Sequence, residues 1–150
     1  MICESIDVSA NKINTFDLEK FNEKVGPVSD QNYYETEFEK GYIYDQKIED
    51  VTGGYIIERS LEEYYAESEC GFITDKGNPF IIKNPDNASR EEIEYIRSVT
   101  QNIEDLIASG NNEVFNYIDV DSFAKRYLIE ELVLAWLRIE ELQSNRYYYD

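Results

Sequence analysis

A long apolar stretch toward the C-terminal end is the feature that most constrains the fold. Residues 119–142 follow the pattern of one helix, which begins at Asp119 or Asp121. Its first half is amphipathic, whereas its second half, around the run 132–137, is apolar nearly all round. A helix that is apolar on every side belongs in a domain interior. We therefore expect this helix to need a partner, either another protein or the remainder of its own domain.

Strand patterns precede this helix, so the sequence predicts an α+β fold for the 150 residues. Strands are predicted at five places: 2–8, 41–44, 55–59, 72–74 and 80–83. The last two should form a hairpin, because Lys76-Gly77 between them suits a tight turn with positive φ. The rest of 28–50 is predicted to be a loop, and Tyr147-Tyr148-Tyr149-Asp150 to begin another strand.

Two shorter helices are predicted from their end signals. Thr15 can cap the first, and Gly26-Pro27 can end it. Ser89 and Glu92 have the spacing of a capping box, and Gly110 ends the helix that follows, at about Ser109. Each helix has one apolar face, formed by Leu18, Phe21 and Val25 in the first and by Ile93, Ile96, Val99, Ile103, Leu106 and Ile107 in the second.

The composition restricts the possible partners and chemistry. Fourteen Lys and Arg stand against 32 Asp and Glu, a formal net charge of -18, which disfavours nucleic acid and anionic lipid as partners. The sequence has no His, which excludes mechanisms that use an imidazole base within it. Residues after Met1 lack the pattern of a signal peptide, and no apolar run is long enough for membrane insertion.

Three short motifs could contact a ligand, but each has a structural interpretation that we favour. Gly53-Gly54 lacks the spaced Lys and Ser/Thr of a phosphate loop and suits a bend before a strand. Asp119 and Asp121 would point about 200° apart on a helix, so capping explains them better than a metal site. Lys83 could contact phosphate, but a solvated strand end explains it as well.

Three other features leave alternatives open. Asn87-Ala88-Ser89 matches a glycosylation acceptor, which matters only in a secreted eukaryotic protein. Tyrosines cluster at 33–34, 64–65 and 147–149, where they form either an interaction surface or, as we favour, half-buried packing. Cys3 and Cys70 could form one disulfide, and the sequence leaves their redox state open.

Four ordered stretches resemble the CotH kinase family, the spore coat protein H-like proteins. YIDVDSFAKRYLIEELVL (117–134) resembles the family's segment before its catalytic loop. MICESIDVSANKINTFDLEKFNE (1–23) resembles the strand that leaves the small lobe. GGYIIERS (53–60) resembles its Gly-Gly-Tyr strand, and GFITDKGNPFIIKNPDNASREEIEYI (71–96) its strand pair and following helix. The resemblance implies one partial domain over 1–150, a partial atypical protein-kinase-like fold of mainly large-lobe elements with a long C-terminal helix.

The family implies an ATP-dependent protein kinase, a transferase that uses Mg²⁺ or Mn²⁺ and acts on proteins of the spore coat. It also implies a bacterial spore coat, secreted or cell-surface location, although nothing in the residues themselves fixes a location. By resemblance alone, Glu4 would lie in the hinge near a nucleotide base. The sequence leaves the substrate, the partner and the oligomeric state open.

The sequence departs from the family where the chemistry should be. The small lobe with its nucleotide-binding Lys would precede Met1, and the last part of the large lobe would follow Asp150. Residues 135–144 stand where the family has an Asn-x-Asp catalytic segment, yet they contain no Asp. We therefore expect no catalytic or metal-binding residue and no bound cofactor in this chain as it stands. The expected function is a truncated CotH-like kinase domain without phosphotransfer activity. The alternative is a non-catalytic, pseudokinase-like protein-binding module with an acidic, Tyr-rich surface.

Overall fold

The structure is a computed structural model that describes residues 16–25 and 32–144, with side chains as far as Leu134. The strands predicted at 2–8 and from Tyr147, and the proposed cap Thr15, lie outside the described residues. The chain divides into two compact units, Met1–Asn102 and Ile103–Asp150.

A five-stranded antiparallel sheet forms the centre of the first unit. Its strands are β1 (Tyr33–Glu35), β2 (Glu39–Tyr42), β3 (Ile56–Arg59), β4 (Gly71–Ile73) and β5 (Pro79–Asn84). They lie in the order β1-β2-β4-β5-β3, and each neighbouring pair is antiparallel. Three helices accompany the sheet: α1 (Leu18–Val25), α2 (Glu62–Glu67) and α3 (Arg90–Ser109), whose last residues belong to the second unit. The predicted α+β class is confirmed.

The hairpin of β4 and β5 forms where it was predicted. Phe72 pairs with Phe80 across the two strands, and their rings stack with centroids 5.4 Å apart. Gly77 in the turn has a φ of 78°, which is the positive value that Lys76-Gly77 was expected to supply. β3 pairs with the other edge of β5, so the predicted strand at 55–59 is confirmed with its start at Ile56.

One part of the sequence interpretation is wrong, and one helix was not predicted. The loop predicted for 28–50 contains the β1–β2 hairpin, and the strand predicted at 41–44 is β2, which begins earlier and ends at Tyr42. Its strand register pairs Tyr33 with Tyr42, so aromatic cross-strand packing offsets the polar composition of the segment. The helix α2 was not predicted, because its six residues show no apolar periodicity.

The core of the first unit lies between the sheet and the beginning of α3. Its buried members are Tyr42, Tyr44, Ile48, Cys70, Phe72, Ile82, Ala88 and Ile93. Ser89 and Glu92 form the predicted capping box, since Glu92 N donates to Ser89 Oγ at 3.2 Å and Ser89 N donates to Glu92 Oε2 at 2.8 Å. Gly110 has a φ of 65° directly after α3, as expected for a helix end.

The second unit contains a short 3-10 helix (Asn112–Asn116) and the long helix α4 (Val120–Ser144). Asp119 caps α4, because its side chain accepts from Ser122 N at 3.1 Å and from Ser122 Oγ at 2.8 Å. Many apolar residues of α4 are exposed, including Phe123, Leu128, Ile129 and Leu132. Among the described residues, no helix is long and apolar enough to span a membrane.

Candidate functional site

A cavity of about 360 Å³ lies beside α2 and β5 in the first unit. Its lining comes from three segments: Tyr64 and 67–70 at and after α2, 81–83 in β5, and Asp86 after β5. The hydrogen bond from Ile82 N to the Cys70 carbonyl, 3.1 Å long, joins the first two segments at the base of the cavity. The cavity is therefore built on sheet residues, with its carboxylates on the segments that flank the sheet.

The charged groups around this cavity are mainly carboxylates. Glu67, Glu69 and Asp86 all line it, whereas Lys83 is its one cationic residue. Lys83 Nζ lies 3.5 Å from Glu58 Oε2, outside the lining, so part of its charge is already balanced. Burial, followed by the negative charges of Glu69 and Glu23, raises the pKa of Asp86. Such a cavity favours a positively charged group, because a cation would relieve the repulsion among its carboxylates.

Cys70 lies at the floor of the cavity but is not a nucleophile. Its side chain is 2% exposed, and its thiol donates to the Asp86 carbonyl across 2.9 Å. Burial raises the pKa of Cys70 to about 12, so the thiol keeps its proton at neutral pH. Cys70 is a free cysteine, whereas Cys3 lies outside the described residues. The thiol therefore packs as a small apolar group.

A second cavity, of about 320 Å³, is organised by Arg97 of α3. Arg97 Nη1 lies 2.7 Å from Glu39 Oε1, and Arg97 Nη2 lies 3.1 Å from Asp75 Oδ1. The guanidinium also lies over the Phe38 ring, 5.7 Å from its centroid. These contacts tie α3 to β2 and to the hairpin turn. The site is occupied by its own ion pairs, and it offers a ligand little unsatisfied charge.

Of the residues singled out from the sequence, some stabilise the fold, one lines the acidic cavity, and one lies outside the described residues. An added Cβ on Gly53 would lie 2.5 Å from Leu18 Cγ, so this glycine permits α1 to pack closely. Asp119 acts as a helix cap, as favoured, and Lys83 lines the acidic cavity. Glu4, the nucleotide-contacting residue suggested by resemblance, lies outside the described residues.

Asn87 is a poor glycosylation acceptor, because its side chain is enclosed. It is 4% exposed, its Oδ1 accepts from Asn22 Nδ2 at 3.2 Å, and its Nδ2 donates to the Glu19 carbonyl at 3.4 Å. Among the tyrosines, Tyr65 is 8% exposed whereas Tyr64 is 63% exposed at the cavity. The pair at 64–65 therefore combines packing with a surface role.

Sequence reasoning missed the buried polar residues that join the elements. Lys40 of β2 is 1% exposed, donates to the Tyr65 carbonyl and lies over the Tyr65 ring, and burial lowers its pKa. Asn22 and Glu92 are both fully buried. In the sequence, Asn22 lies beside the apolar positions of α1. An amphipathic helix can have an exposed or a buried polar residue at such a position, so the burial of Asn22 could not be predicted.

Comparisons with known proteins found no match to any family model, curated protein or solved structure. Within the described part of the chain, no group of three or more Cys, Asp or Glu side chains is arranged to hold a metal ion. The acidic cavity is therefore the candidate site on the strength of its own geometry.

Proposed function

We propose that this chain is related to the CotH-like atypical protein kinases and supplies large-lobe elements of that fold, without phosphotransfer activity of its own. The supporting observation is that two of the ordered stretches of the resemblance coincide with strands of the sheet and the helix after them. GGYIIERS contains β3, and 71–96 contains β4, β5 and the start of α3. β3 and β4 both pair with β5, so these stretches, separated in sequence, form one continuous piece of sheet.

The backbone of α4 supports the proposed lack of activity. The family's catalytic segment is expected at 135–144, and here these residues continue the helix as far as Ser144. Phosphoryl transfer requires a loop that orients the acceptor hydroxyl and metal-bound phosphates. A continuous helix keeps its backbone groups in internal hydrogen bonds and directs successive side chains around its axis. In such a segment, residues i and i+2 point about 200° apart, so the two side chains of an Asn-x-Asp pair would not converge on one site.

The direct test is transfer of the γ-phosphate of ATP to a Ser-rich spore-coat-type protein with Mg²⁺ or Mn²⁺. We expect no incorporation above that of a heat-inactivated sample, and a clear excess would refute the inactive state. The relationship itself is tested by reading the coding sequence on both sides of the 150 codons. An in-frame small lobe upstream and an Asp-containing segment downstream would support it, and unrelated flanking sequence would count against it.

A second candidate function, protein binding, is favoured by the acidic cavity. Glu67, Glu69 and Asp86 surround a space that suits the charged end of a Lys or Arg side chain, and exposed Tyr64 offers a ring for its apolar stem. A net charge of -18 would also accelerate encounter with a basic protein.

This candidate is tested by titration with a short Arg/Lys peptide at low and physiological salt. We expect binding that weakens about tenfold or more when Glu69→Gln and Asp86→Asn are combined. Asp45→Asn combined with Glu49→Gln is the matched control, since it also removes two carboxylates, both exposed and neither lining the cavity. Equal loss of affinity in the control would show only a general charge effect, and phosphotransfer should be absent from every variant.

A further inference from the structure

A buried acid joins α1 to the beginning of α3. Glu92 is 0% exposed, and its Oε2 accepts two hydrogen bonds, from Ser89 N and from Asn22 Nδ2, each of 2.8 Å. The first bond belongs to the capping box of α3. The second comes from α1, 70 residues earlier in the sequence. Glu92 therefore serves two elements through one oxygen.

The other carboxyl oxygen of Glu92 has no such support. Among the residues that the structure describes, Glu92 Oε1 is buried without a hydrogen-bond partner, and so is Asn22 Oδ1. No described Lys or Arg forms an ion pair with Glu92. A charged carboxylate oxygen in this position would lose its hydration without compensation, which is among the costliest arrangements in a protein interior.

We propose that Glu92 is a proton-binding residue, whose neutral carboxyl group pairs with the Asn22 amide and fastens α1 to the fold. With a proton on Oε1, the acid gains a donor and Asn22 Oδ1 gains a partner. An amide and a neutral carboxyl group match each other, since each offers one donor and one acceptor side by side. The bond from Asn22 Nδ2 to Glu92 Oε2 is one half of that pair.

The surroundings of Glu92 also favour the neutral form. Acids predominate among the titratable groups on the elements around it: Glu19 and Glu23 on α1, Tyr44, Tyr55, Cys70, Asp86 and Glu91. The cations nearest in sequence are engaged elsewhere or exposed, since Lys20 pairs with Asp17 and Lys24 is exposed, while Arg90 pairs with Glu94. Burial raises the pKa of Glu92; the hydrogen bonds from Ser89 and Asn22 oppose this rise without cancelling it, and the charge of Glu91 adds to it.

The consequence is an attachment of α1 that weakens as the pH rises. A Glu whose pKa is higher in the folded state stabilises the fold fully below its unfolded pKa of about 4.3. That stabilisation is lost progressively as the pH rises from this value through the folded pKa. α1 is the element most directly affected, because Glu92 accepts from it directly through Asn22 Nδ2. Its other attachments are Leu18 against Gly53, Phe21 against the core, and the hydrogen bonds that Asn84 and Asn87 make with Glu19 and Asn22.

Hydrogen exchange of the α1 amides, measured from pH 4.5 to 8 and corrected for intrinsic exchange, tests this attachment. In the wild-type chain we expect the opening constant of 18–25 to rise by up to tenfold per pH unit within the titration window. Glu92→Gln keeps the shape and supplies a permanent donor, so the part of the pH dependence that comes from Glu92 should disappear. Only the dependence from groups such as Glu19, whose pKa burial also raises, should remain. Glu94→Gln is the matched control on the exposed side of α3 and should follow the wild type.

Two further measurements keep the proposal open to refutation. The carbon-13 shift of the Glu92 carboxyl group in the wild-type chain should titrate above the ordinary Glu value of about 4.3, and an ordinary titration would overturn the proposal even if Glu92→Gln failed to fold. Added Ca²⁺ or Na⁺ should change the thermal stability of the wild type and of Glu92→Gln by the same amount. Selective stabilisation of the wild type would mean that a metal ion, rather than a proton, satisfies these oxygens.

Discussion

The close approach of β2 to α3 yields the sharpest stability prediction. Gly41 of β2 faces Ile93, which is fully buried at the centre of the core. A Cβ added at Gly41 would lie 2.2 Å from Ile93 Cδ1 and 2.9 Å from the Ala88 carbonyl oxygen. Both distances are below 3.0 Å, a separation that real Cβ atoms essentially never show, so Gly41→Ala forces the core to shift.

The size of the effect follows from these two contacts. Overpacking a close-packed core costs about 1–3 kcal/mol, and the loss of glycine's freedom in the unfolded chain returns about 0.5 kcal/mol. We therefore expect Gly41→Ala to lower the free energy of unfolding by about 1–2 kcal/mol. Ile93→Val alone should cost about 1 kcal/mol, because it deletes one buried methyl group. The deleted atom is the Cδ1 that obstructs the methyl group added by Gly41→Ala. The double variant should therefore lose about 1 kcal/mol less free energy of unfolding than the two single variants lose together.

Urea denaturation followed by circular dichroism measures all four chains of this cycle. Ile96→Val, one turn further along α3 and partly buried, is the matched control. Its combination with Gly41→Ala should be additive within about 0.5 kcal/mol. Additive behaviour of Gly41→Ala with Ile93→Val, or a Gly41→Ala chain as stable as the wild type, would show that β2 and α3 do not approach as described.

Three further predictions concern local features. Ser89→Ala should reduce the free energy of unfolding by about 1 kcal/mol in urea, because it removes the cap that accepts from Glu92 N. Gly77→Ala should cost about 1 kcal/mol by the same measurement, since a φ of 78° disfavours a side chain even where space is open, and Gly77→Asn should cost less. In a Cys3→Ser background, Cys70 should react with a thiol reagent at pH 8 only after denaturation; rapid labelling of the folded chain would contradict its burial. Its raised pKa, about 12, further predicts that stability falls as the pH rises above about 8.5, the ordinary pKa of a thiol.

Helix ends and the tight turn could be read directly from the sequence, because their signals are local. Ser89 and Glu92 satisfy backbone groups only three residues apart, and Gly77 and Gly110 adopt backbone angles that other residues avoid. Asp119 caps α4 by the same short-range logic. In each case both partners of the interaction lie within a few residues, so residue type and spacing are enough to predict it.

The candidate site could not be read in this way. Glu69 and Asp86 belong to no motif that would pair them, and they meet at one cavity because β4 and β5 pair in a particular register. The β1–β2 hairpin was missed because its stability comes from cross-strand tyrosines and from pairing with β4, not from an apolar run. The resemblance to CotH-like kinases rests on ordered sequence stretches, and it remains a prediction.

The sequence by itself determined the α+β class, the β4–β5 hairpin, the limits of α3 and the beginning of α4, since periodicity, caps and turn glycines act over a few residues. Only the tertiary structure decided which polar residues are buried. Lys40, Asn22 and Glu92 have the composition of surface residues, yet they are enclosed because partners 25, 65 and 70 residues away meet them. Their energies depend on burial and on distant neighbours, and neither is encoded in local spacing.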